Sequence, residues 1–186
     1  MKTIFIFQFA SLLLLLTISC KQAPKKGEPI VESVKQQNDA KFVSNKKESD
    51  ANFLVQAVEM DMAQINLGKL AQQIGSKSIK DLGMMMEKQH TKSLTEAIEL
   101  AKSKMMIIPE KTSFNDQDAY NTLNAKSSVD FDKMYTDMVV NAHKEAIDLY
   151  EKTVAEGNDQ DIKQWAEKSI PNLKTHLEHA EMLQKK

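Results

Sequence analysis

Residues 131 to 150, FDKMYTDMVVNAHKEAIDLY, constrain this chain more than any other stretch. Phe131, Met134, Tyr135, Met138, Val139, Ala142, Ala146, Ile147 and Leu149 recur at helical spacing, and the stripe they form is broad enough for an inner helix of a bundle. His143 falls inside that stripe, one turn after Val139 and one turn before Ile147. Two other stretches repeat the pattern. His90 follows Met86 and precedes Leu94 and Ala97, while His176 lies between Leu173, Leu177 and Ala180. An imidazole on a packing face needs partners, because a buried polar group without a hydrogen bond costs ~1–3 kcal/mol. Three inward histidines on three helices therefore mark the place to look for function.

The 186 residues suit one domain with appendages. Lys2, the apolar run over residues 4 to 16 and the small residues before Cys20 follow the layout of an export signal, predicted over 1–19. Thr17-Ile18-Ser19-Cys20 resembles a bacterial lipobox, which makes Cys20 the predicted lipidation site. The run is short for a membrane-spanning helix and Gln8 interrupts it. Cys20 is the single cysteine, so no intrachain disulfide can form. The expected setting is the bacterial cell envelope: a lipid anchor in the outer membrane, with the domain in the periplasm or at the surface. Residues 20–50 carry two prolines, many charges and few large apolar groups, and are expected to be a disordered tether. All 25 basic residues are lysine and the formal net charge is -1, which gives nucleic-acid recognition little support.

The folded domain is expected over 51–185. Ser49 or Asp50 is predicted to cap a first long helix from about 51 to 74, which Gly75 ends. Phe53, Ala57, Met60, Leu67, Ala71 and Ile74 form its apolar face, with Gln64 on that face. A capping box at Ser78-Ile-Lys-Asp81 opens a second helix carrying His90. Pro109 interrupts the chain, and a short crossover helix begins near Ser113 and runs through Tyr120 and Leu123. Ser127-Ser-Val-Asp130 opens the third long helix, Gly157-Asn158 ends it, and Asn158-Asp-Gln-Asp161 caps the fourth. Pro171, inside the last stripe, predicts a kink or a break into two shorter helices. Two tight hairpins joined by a longer crossover describe an all-α, ferritin-like four-helix bundle.

At these segments the chain resembles a known family. Met62-Ala63-Gln64-Ile65-Asn66-Leu67-Gly68-Lys69-Leu70-Ala71, the segment from Met86 to His90, Phe131-Asp132 with Tyr135 and His143, and Ile170-Pro171-Asn172-Leu173 with His176 are similar to the exported bacterial proteins grouped as domain of unknown function 4142. The resemblance spans about residues 51 to 184 and implies a ferritin-like bundle without an established activity. It also marks departures: Gln64 stands where glutamate is common, and Gln89 and Ala142 where aspartate often precedes the histidine.

A di-iron bundle needs a glutamate from each of two helices and Glu-x-x-His from each of the other two. Only Glu87-Lys-Gln-His90 matches; His176-Leu-Glu-His179 offers two histidines one turn apart instead. Glu87 is read as a solvated surface residue. Ferroxidase or oxygenase chemistry is not expected. Met86 one turn before His90, and Met138 five residues before His143, add thioethers that suit copper, and Met60, Met62, Met84 and Met85 add sulfur nearby. Methionine at helical spacing equally serves as core filling. No Gly-rich phosphate loop, nucleophile motif or dinucleotide fingerprint is present, and no catalysis is expected. Two readings stay open. One is a lipid-anchored binding or interaction bundle whose histidines hydrogen-bond one another, Gln64, Tyr135 or water. The other is an envelope metal-binding protein holding copper, or iron after it, at His90, His143 and His176.

Overall fold

The computed structural model describes residues 30–42, 45–112 and 114–185. The signal segment, Cys20 and the first part of the tether lie outside them. Six helices and no strand occur among the described residues: α1 (Ile30–Lys41), α2 (Asn45–Ile74), α3 (Lys77–Ser103), α4 (Phe114–Asn124), α5 (Ser128–Glu156) and α6 (Gln160–Gln184). No described helix is long and apolar enough to cross a membrane. The four long helices pack as two hairpins, α2 on α3 and α5 on α6, and the pairs meet through α2–α5 and α3–α6.

The first hairpin owes its tightness to two glycines. A Cβ on Gly68 would lie 2.7 Å from the Gly83 carbonyl oxygen, and one on Gly83 would lie 2.6 Å from that of Gly68. Only bare backbone fits on both sides, so the helices close here and their antiparallel register is set. Seven residues back from Gly68 and seven on from Gly83, the same register brings Asp61 opposite His90. The site is thus fixed two turns away from the contact that aligns it.

Apolar stripes bury into two clusters. Phe53, Leu54, Ala57, Val58, Ala97, Tyr150, Ile162 and Trp165 belong to one; Leu67, Leu70, Leu82, Met86, Phe131, Tyr135 and Val139 belong to the other. Along every long helix, a buried polar residue falls between them: Asp61 on α2, His90 on α3, His143 on α5 and His176 on α6.

The helix ends depart from expectation in instructive ways. Residues 30–41, expected to be tether, form α1, with Val34 and Asn38 buried. The Asn38 amide donates to the Ile107 carbonyl oxygen at 2.7 Å and accepts from the Ile107 N–H at 2.9 Å, clamping α1 to the segment after α3. Polar and charged residues together outnumber apolar ones in α1, so the few contacts that order it are invisible to composition. Asp50 does not cap α2, which begins six residues nearer the N-terminus than predicted. Its buried carboxylate accepts from the backbone N–H groups of Asn158 and Asp159 at 3.0 and 2.8 Å, closing the α5–α6 turn. The N-cap of α3 is Ser76 rather than Ser78, with no side-chain cap bond. Asp159 caps α6 by accepting from Asp161 and Ile162. Finally, α6 runs unbroken through Pro171. Pro171 and Glu167, whose carbonyl loses its helical donor, both lie on the exposed side, so the carbonyl is not left buried without a partner.

Candidate metal centre

The layer between the two apolar clusters holds four side chains that sequence alone could not bring to one level. His90, His143 and His176 are each at most 2% exposed, and one ring nitrogen from each lies within 4.8 Å of the others. His143 is the hub. Its Nε2 is 3.3 Å from Nε2 of His90 and 3.1 Å from Nδ1 of His176. The three rings meet edge to face or tilted, with centroids 5.1–5.4 Å apart.

The outward nitrogens decide what the inward ones can do. His143 Nδ1 lies 2.8 Å from the Val139 carbonyl oxygen, which only accepts, so that nitrogen carries the proton and Nε2 of the neutral ring is a bare lone pair. His90 Nδ1 is 2.7 Å from Asp61 Oδ1, and a carboxylate there likewise leaves Nε2 of a neutral His90 bare. Two lone pairs then face each other across 3.3 Å. Either an extra proton shared by the Asp61–His90 pair, or a cation, must lie between them. His143 Nε2 has one lone pair for two neighbouring nitrogens, so protons alone serve the trio poorly. A metal ion instead takes one lone pair from each ring.

Electrostatics favour bare nitrogens. Burial, with the neighbouring imidazoles adding to it, pushes His143 and His176 down to about 3, so both are neutral at pH 7. Burial pushes the Asp61 carboxyl up, while His90 and, more weakly, Ser93 oppose it by hydrogen bonding. Metal–imidazole bonds of about 2.0–2.1 Å at tetrahedral angles place the ligand nitrogens roughly 3.3 Å apart. The two separations at His143 match that spacing. Holding the far nitrogen of each ligand with a carboxylate or carbonyl is how metal-binding histidines are oriented.

The carboxylate-rich alternative does not fit. Glu87, the one match to a di-iron motif, accepts from Gln72 at 2.6 Å and approaches Lys69 at 3.9 Å, away from the imidazoles. The thioethers are spread over the molecule: Met86 fills the second apolar cluster, Met60 and Met62 pack on the first, and Met84 is half exposed. His179 stands outside the trio, exposed, with Nδ1 3.3 Å from the Met85 sulfur. Gln64 is not the histidines' partner. It lines a cavity of about 380 Å³ between α2 and α5, and its Oε1 has no protein partner; neither does the Tyr135 hydroxyl.

Asp61 is the site residue that sequence reading misses. Placed one turn after Ala57 and three residues before Gln64, it lies on the buried face of α2. An acidic residue on an apolar face was the available signal. A second feature is a cleft of about 190 Å³ between α3 and α6, with His90 and His176 among its lining.

Comparison with known proteins agrees with this architecture. The family model described as Domain of unknown function (DUF4142) matches residues 34–183, a span that includes most of α1. A crystal structure of a conserved hypothetical protein, rv2844, from Mycobacterium tuberculosis is similar in fold, with a TM-score of 0.58 at 12% sequence identity. The similarity covers 75% of this chain and 93% of that one. No curated protein matches the sequence.

Proposed function

The chain belongs to the DUF4142 family, a domain of unknown function, and from that footing we propose that its bundle is a metal-binding domain of the bacterial cell envelope. One observation carries this reading: His143 Nε2 lies at ligand-to-ligand spacing from both His90 and His176. In it His90, His143 and His176 hold a single divalent transition ion, with Asp61 and the Val139 carbonyl steering the rings. Three imidazoles suit copper(II) or zinc, which stand high in the affinity order of divalent metals. Iron ranks behind them because no carboxylate joins the trio.

The proposed role is binding rather than catalysis, supported by a sequence without nucleophile or cofactor motifs. Two hairpins joined across α4 support a ferritin-like reading of the bundle, with a site adapted from carboxylates to imidazoles. Lipidation at Cys20 would place the domain at the outer membrane, on the strength of the apolar run and Ser19-Cys20.

Thermal unfolding with and without metal tests the reading. A ligand bound only by the folded state stabilises it by RT ln(1 + [L]/Kd), about 2.7 kcal/mol at a hundredfold excess over Kd. Copper(II) or zinc should raise the melting temperature of the wild type and leave His143→Leu unchanged. Equal responses in both proteins would sink the site. A flat response to every metal in the wild type would leave the histidines a purely structural hydrogen-bonded layer.

A further inference from the structure

Three protein ligands leave a tetrahedral ion one position short, and the structure shows where that position has access. The cleft between α3 and α6 has His90 and His176 in its lining but not His143, so it reaches the trio from one edge only. Resting on the metal reading above, we propose that this cleft admits a small monovalent anion to the fourth coordination position.

Charge balance chooses the class of ligand. Neutral imidazoles contribute no charge, and Asp61 contributes at most one negative charge, so a buried divalent ion keeps at least one uncompensated positive charge. Such a charge is costly in a low-dielectric interior, and a monoanion bound directly to the metal removes it. Size agrees, because about 190 Å³ holds a few non-hydrogen atoms and a water or two, not a large substrate.

Donors are in place for such a guest. With Nδ1 of His176 turned toward His143, its Nε2 is buried without a protein partner. In that tautomer Nε2–H points away from the metal and has no acceptor in the protein. Asn172 adds an amide to the lining, and Lys92 and Lys168 bring positive charge. Glu96 also lines the cleft, but its carboxylate accepts from the Trp165 indole at 3.3 Å and lies 3.8 Å from the Lys92 ammonium. Its charge is therefore partly offset where an anion would pass.

The test uses copper(II) as the metal and azide as the anion, on the full folded domain. After copper loading is measured, azide titration should produce a saturable azide-to-copper absorption band and a changed electron paramagnetic resonance spectrum. Asn172→Phe, which fills the cleft from an exposed helix position, should weaken azide at least tenfold while copper still binds one to one. Lys168→Glu, on the surface, gives an independent arm should the larger side chain disturb folding; it should weaken azide severalfold at low salt. If copper binds but azide leaves both spectra unchanged, the open position is wrong and the metal centre stands. Azide binding that neither variant weakens would show that the anion enters elsewhere, and the cleft loses its role. No copper uptake at all would overturn the metal reading beneath both.

Discussion

Two neighbouring layers of the same helices are built on opposite physical principles. In one, Phe53, Tyr150 and Trp165 meet edge to face or tilted at 4.9–5.9 Å between centroids, within an apolar cluster that burial alone rewards. In the next, Asp61, His90, His143 and His176 are buried just as deeply, yet each must be desolvated and partnered. The aromatic layer stabilises the bundle. The histidine layer draws on that stability, since an apolar filling of the same volume is commonly neutral or better. A layer that adds so little to the fold, while the outward nitrogens of His90 and His143 are held by Asp61 and the Val139 carbonyl, points to a ligand as its reason.

The difference can be broken from either side. Phe53→Ala removes a ring that is 3% exposed and should cost about 3–5 kcal/mol, seen as a lower urea midpoint with an unchanged slope. A loss under 1 kcal/mol would mean that the aromatic layer is not the anchor described here.

Acid should act on the other layer alone. His143 and His176, near 3 in the fold, return to about 6.5 on unfolding, so below that pH the unfolded chain binds protons the folded one refuses. Stability is complete above about 6.5 and is lost progressively as pH falls toward 3. At pH 5 the metal-free protein should be about 2 kcal/mol less stable for each of these histidines than at pH 7. Urea titrations at the two pH values measure this, and the double variant His143→Leu/His176→Leu should flatten most of the difference. Wild-type midpoints that coincide at pH 5 and 7 would show that the rings are not held neutral.

The smallest effect concerns a contact outside both layers. Asn38→Ala unpairs the N–H and C=O of Ile107 and should cost about 1–3 kcal/mol. Hydrogen exchange in residues 30–41 should rise with it. A variant as stable and as protected as the wild type would return this segment to the role of a loose tether.

Much of this architecture is legible in the sequence because helical period and turn chemistry are local. The stop at Gly75, the crossover helix near Leu123 and the start of α5 after Ser127 all follow from a few adjacent residues. The three inward histidines are equally legible, each read from the stripe of its own helix. What escapes is whatever depends on distant partners. Asp50 reads as a helix cap but serves a turn more than a hundred residues away. Asn38 looks like one more polar residue in a charged segment until Ile107 is set beside it. Asp61 becomes meaningful only when the Gly68–Gly83 contact fixes which residue of α3 stands across from it. The thioethers mislead for the opposite reason: their spacing is right for ligands, but the same spacing serves two apolar cores.

Metal content measures the central claim most directly. The domain, produced without an affinity tag that itself binds metal, is exposed to copper(II) or zinc, dialysed and analysed for metal per chain. The account predicts one equivalent in the wild type, far less in His143→Leu, and an intermediate, weakly held amount in Asp61→Asn, where His90 loses its carboxylate. A wild type that retains no more metal than His143→Leu would contradict it.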